Sequence, residues 1–151
     1  MIAAVPPCGA GAAKAAILAS AVPEAMKLNV RQPDAGVDRV ICRDLTGDGL
    51  ADMAVTVFSG GTAGVTSWAV FRRTGAGWKL AFAEGQAYKA SLFAVGRDIV
   101  ESAPIYLAND PNCCPTGGFA HRRFRFSGTR LRLVRSWSDR SYRPAGGILG
   151  R

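Results

Sequence analysis

The chain has 151 residues, 48% of them hydrophobic and 20% charged, which excludes wholesale disorder and points to one globular domain with a real core. No apolar run reaches the roughly 18–20 residues that a membrane-spanning helix needs. The formal net charge is +8, and its placement is uneven: residues 1–120 carry ten basic and ten acidic groups, whereas residues 121–151 carry nine arginines against Asp139 alone.

In chain order, residues 10–22 are alanine-rich, and Ala13, Ala16, Ile17 and Ala21 form one apolar stripe, so a helix is predicted there. Pro23 ends or kinks it, with one more turn over 24–28. From Val37 the period becomes that of strands, predicted at 37–43, 53–58, 66–73, 78–83, 88–95, 98–101, 119–126 and 130–136. Thr74-Gly75-Ala76-Gly77 and Ser127-Gly128-Thr129 are hairpin turns. Residues 106–118, rich in Pro and Gly and holding two cysteines, read as a loop that needs covalent pinning. The expected fold class is α+β, an N-terminal helix packed on an antiparallel meander of about eight short strands. The expected domain is 1–137, with 138–151 a flexible tail. Trp68, Trp78 and Trp137 are expected in the core or at its rim.

Cys8, Cys42, Cys113 and Cys114 form an even set, which reads as two disulfides of an exported domain. A ring closed between neighbours 113 and 114 has poor geometry, so the expected bridges run from each of these to Cys8 and Cys42. A zinc site is disfavoured, because no CxxC spacing occurs and His121 is the sole histidine. The first eight residues lack a basic region and a long apolar run, so they are not a signal peptide. The cysteines then suggest a secreted or periplasmic protein whose signal is absent from this chain.

Asp44-Leu45-Thr46-Gly47-Asp48-Gly49-Leu50-Ala51-Asp52 places side-chain oxygens at loop positions 1, 3, 5 and 9. Calcium is a hard cation that takes six to eight oxygens, so carboxylates at Asp44, Asp48 and Asp52, the Thr46 hydroxyl and the Leu50 carbonyl would suit it. Gly47 and Gly49 permit the left-handed turns that wrap a short chain round an ion. The alternative is a metal-free turn in which the aspartates accept backbone N–H groups. An EF-hand is excluded, because position 12 is Val55 and the flanks are strands. The run 44–55 closely resembles the calcium loop of FG-GAP/VCBS-type repeats, in which an Asp-rich turn joins two strands. That resemblance covers about a dozen residues and implies calcium ligands at Asp44, Thr46, Asp48, Leu50 and Asp52, with Thr46 standing where the family has Asp or Asn. Repeats of this kind build propellers by recurrence, and no second copy occurs here.

No nucleophile elbow, phosphate-binding Gly loop or nucleophile–base spacing is present, and His121 is followed by Arg122 and Arg123. Glu84 and Glu101 are the conceivable carboxylate pair, with nothing in the sequence to join them. The expected function is therefore non-enzymatic: an exported domain with a structural calcium that acts through protein or surface contacts, an unidentified protein being the expected partner. One alternative is a module for acidic polymers using Arg122, Arg123, Arg125, Arg130, Arg132 and Arg135, which alternate with apolar residues on the last hairpin. The other is a small calcium-stabilised hydrolase.

Overall fold

The computed structural model describes residues 4–149. Two helices lead the chain, α1 (Ala10–Ala19) and α2 (Glu24–Arg31). In α1 the buried positions are Ala12, Ala13, Ala16 and Ile17, three of them methyl-sized, which lets the helix lie close against a sheet. Pro23 has no N–H to continue α1 and instead stands at the N-cap of α2. Glu24 in the first turn of α2 and Arg31 in the last complement its dipole.

The strands form two antiparallel sheets. β1 (Gly36–Arg43), β2 (Asp52–Phe58), β3 (Val65–Thr74) and β4 (Gly77–Glu84) make a four-stranded meander in that order. β5 (Ser91–Val95), β6 (Asp98–Pro104), β7 (Phe119–Ser127), β8 (Arg130–Asp139) and β9 (Ile148–Leu149) make the second sheet, ordered β8-β7-β6-β5-β9. The expected α+β class is thus present, but the single meander is broken between β4 and β5. Residues 85–90 cross from one sheet to the other, held by Ala87 N–H on the Thr66 carbonyl and Ala90 N–H on that of Val65. That crossing overlaps the stretch 88–95 expected to be strand.

Period-two alternation divides the core in two. Met53, Val55 and Val57 of β2, with Ala69 and Phe71 of β3, face the helices and meet Ile17, Met26 and Val30. Ala54, Trp68 and Val70 face the other way and meet Leu92, Ile99 and Phe124 of the second sheet. β2 is therefore buried on both sides, which explains its mainly apolar sequence, interrupted by Thr56. Trp68, Phe82 and Phe124 cluster at the centre with ring centroids 5.0–5.1 Å apart.

Two further expectations are corrected. The expected tail, 138–151, is structured as far as Leu149. β8 runs on to Asp139, Tyr142 packs on Phe93 and Phe119, Pro144 is buried, and Ile148–Leu149 pair with Ala94 and Phe93. The aromatic and proline residues of this segment supply apolar surface that the second sheet covers.

The disulfides pair Cys8 with Cys42 and Cys113 with Cys114, rather than crossing between the two sets. Packing of α1 on the first sheet carries Cys8 to the end of β1, whereas 113 and 114 lie in the β6–β7 loop of the second sheet. Each set of cysteines meets only its own members. That loop is also held by Asp110, whose carboxylate accepts from the Leu107 and Thr116 N–H groups and the Thr116 hydroxyl.

Candidate functional site

The aspartate loop joins β1 to β2, as the sequence implies, and Gly47 and Gly49 take φ of 85° and 86°. Its carboxylates face backbone donors. Asp52 is fully buried; its Oδ2 accepts from Leu45 N–H (2.8 Å) and Thr46 N–H (3.1 Å), and its Oδ1 from Arg73 N–H (3.0 Å) on β3. Asp44 accepts from Gly47 N–H at 2.7 Å, Gly49 N–H at 2.9 Å and the Thr46 hydroxyl at 3.4 Å. The Gly49 N–H is the largest influence on the Asp44 carboxyl and lowers its pKa; desolvation opposes it, but the Gly47 N–H and the charge of Arg97 add to the lowering and hold the group below its ordinary range. Asp48 accepts from Leu50 N–H, an Asx-turn. Among the described residues, no three His, Cys, Asp or Glu side chains converge on a cation position. As built, the loop is closed by its own hydrogen bonds, and a guanidinium from Arg97 lies over Gly47. Leu50 is exposed, and its carbonyl adds nothing to this network.

The arginine-rich hairpin divides into two kinds of residue. On β7, Arg122 shares the inner face with Phe124, while His121, Arg123 and Arg125 lie on the outer face. Arg122 Nε donates to Glu101 Oε1 at 2.8 Å and Nη2 to Glu101 Oε2 at 2.9 Å; Nη2 also reaches Glu84 Oε1 of β4 at 2.5 Å. Trp68 Nε1 donates to the same Glu101 carboxylate. Burial is the largest single influence on Glu84 and works against its charge, yet the hydrogen bond and charge of Arg122 together with the Gln86 and Gly85 N–H groups outweigh it and keep the carboxyl below its ordinary range. The Glu101 hydrogen bond raises the Arg122 pKa still further. This cluster locks the sheets together, and the pairing of Glu84 with Glu101 through Arg122 was not legible in the sequence.

On the outer face, Arg123 and Arg125 both bind Asp98, at 2.6 Å and 2.8 Å. Burial opposes ionisation of Asp98, but hydrogen bonds from Arg125 and Arg123 prevail and lower its pKa. Arg130, Arg132 and Arg135 of β8 are exposed and form no ion pair among the described residues. Arg135 lies over Trp137, 4.6 Å from the ring centroid. Of the six arginines singled out, three are thus neutralised within the fold and three present charge to solvent.

Sequence reasoning missed one more cluster. Ser102 Oγ lies 2.7 Å from His121 Nδ1, and His121 Nε2 lies 2.8 Å from Asp139 Oδ1. These residue types are those of a nucleophile–base–orienter relay. Their burial is the reverse of what attack on a substrate requires. Ser102 and His121 are each 1% exposed, whereas the Asp139 side chain is 45% exposed. Asp139 is held below the ordinary carboxylate range mainly by His121 and then by the Ser141 N–H. Trp137 covers the imidazole, stacked at 5.0 Å. The geometry describes a satisfied buried histidine that anchors the end of β8.

No family model, curated protein or solved structure matches the chain.

Proposed function

We propose that this chain is a non-enzymatic recognition domain that binds an acidic protein partner through the solvent-facing arginines of β8. The observation that carries this reading is the unequal pairing of the arginines. Arg122, Arg123 and Arg125 have carboxylate partners, while Arg130, Arg132 and Arg135 stand together on an edge strand without one among the described residues. An unneutralised patch attracts and orients an oppositely charged surface. Leu133 and Val134, 51% and 49% exposed between the same arginines, supply the apolar contact that an acidic polymer would not need. The Cys8–Cys42 bridge supports an oxidising, secreted or periplasmic setting. Binding to immobilised polyglutamate, weakening as salt rises and absent with polylysine, is the expected result. Equal binding to both, or none to polyglutamate, would overturn the reading.

A second reading concerns the aspartate loop, where calcium would serve as a structural ligand. It is favoured by the left-handed turns at Gly47 and Gly49 and by exposed Asp48, one of whose carboxylate oxygens has no hydrogen bond in the loop. Asp44, Asp48 and the Leu50 carbonyl would hold the ion, with Thr46 and Asp52 shaping the loop. Melting in excess calcium should then occur above melting in chelator, and Asp48→Ala should erase the difference. Identical transitions would leave the loop as a hydrogen-bonded turn.

A further inference from the structure

β4 and β8 each form one edge of their sheets and lie side by side. Between them runs an open groove of about 820 Å³. Four cations line it, Arg72 and Lys79 from the first sheet and Arg130 and Arg132 from the second, and no carboxylate among the described residues does. Its floor is apolar, built from Ala81, Phe82 and Leu131. Arg72 Nε is buried there without a hydrogen-bond partner.

We infer that this groove is the docking site for an extended acidic segment of the partner protein, with acidic and apolar residues alternating along it. The inference rests on the recognition reading above and specifies where and how the partner is held. Charge complementarity selects the occupant: four cations without a carboxylate favour an anion, and the apolar floor favours side chains between the charges. The form of the occupant follows from the groove walls. Both are edge strands, whose unpaired N–H and C=O groups accept an added strand. An extended chain rises about 3.3 Å per residue, so the stretch of β4 lining the groove, 79–83, matches about five residues of a bound strand. In such a strand, residues i and i+2 share a face, so alternate glutamates meet the cationic rim while the intervening residues meet Phe82 and Leu131.

The test uses a fluorescein-labelled peptide alternating glutamate and valine, titrated by anisotropy with the whole chain. Three controls accompany it: the same peptide with lysine for glutamate, a version N-methylated at alternate peptide bonds, and a heparin-like polymer as competitor. The inference predicts binding of the first peptide alone, and at least a tenfold loss in the variant Lys79→Glu/Arg132→Glu, whose positions are exposed. Equal binding of the N-methylated peptide, with the loss confined to Arg135→Glu, would overturn the groove while leaving the acidic-partner reading intact. Failure of every acidic peptide, with or without polymer binding, would overturn both.

Discussion

Arg122 and Glu101 form a two-pronged ion pair, at 2.8 Å and 2.9 Å, at the boundary between the two sheets. The Glu101 side chain is 8% exposed and also receives the Trp68 indole N–H, so removing the guanidinium strands a buried charge. Arg122→Ala should therefore destabilise the fold by about 3 kcal/mol, the low end for a broken buried pair because Arg122 is 34% exposed. Urea unfolding of the variant and the parent measures it, and a loss below about 1 kcal/mol would show that the cluster does not lock the sheets.

Acid should expose the same design. Glu84, Asp98 and Asp139 all have folded pKa values depressed below their ordinary ones, 4.5 for Glu and 3.8 for Asp. Depressed carboxylates contribute stability that is fully present above the unfolded pKa and is lost as pH falls through the folded pKa. Urea midpoints should accordingly be level from neutrality to about pH 5 and fall below about pH 4. In Arg122→Ala the fall should be shallower, because Glu84 loses the partner that lowers its pKa.

Asp52 is expected to be the most sensitive residue of its loop. Asp52→Ala deprives three backbone N–H groups of their acceptor and should cost about 3 kcal/mol or more. The measurement is thermal melting in calcium and in chelator, and the loss should appear in both. A loss seen only in calcium would assign Asp52 to the metal instead of to the backbone.

The two disulfides should contribute unequally. Cys8 and Cys42 are 34 positions apart, and closing a loop of that length stabilises by about 4 kcal/mol in the chain-entropy view, whereas Cys113 and Cys114 are adjacent and close almost no loop. Cys8→Ser/Cys42→Ser should lower the melting temperature markedly, and Cys113→Ser/Cys114→Ser should barely move it. Equal effects would contradict this ranking.

Buried Ser102 should be inert. A fluorophosphonate probe is expected to leave it unlabelled, because the hydroxyl is enclosed although it touches an imidazole. Labelling at Ser102 in the folded protein would reopen the hydrolase reading.

What the sequence made legible was local. The hairpin turns at 74–77 and 127–129, the aspartate loop between two strands, and the alternation of Phe124 and Leu131 with arginines all depend on neighbours, and each is found in place. Contacts between distant strands were not legible. Ser102 meets His121 across 19 positions, and Arg122 meets Glu84 across 38, through sheet pairing and sheet packing that no local pattern encodes. The break between β4 and β5 was hidden for a similar reason. Tyr88 reads as the start of a strand, but Lys89 adopts φ of 48° and turns the chain toward the second sheet. Arg122 looks like its neighbours in sequence, and only the register of β7 turns it inward.

The central claim is that the position of the unpaired arginines, more than net charge, drives recognition. Its most direct test compares two variants that each lower the net charge from +8 to +5 (8 − 3 = 5). Arg130→Ala/Arg132→Ala/Arg135→Ala alters β8, and Lys14→Ala/Lys27→Ala/Arg31→Ala alters the helices. Affinity for polyglutamate at fixed salt should fall at least tenfold, about 1.4 kcal/mol, in the first and stay within about twofold in the second. Equal losses in the two variants would contradict the account.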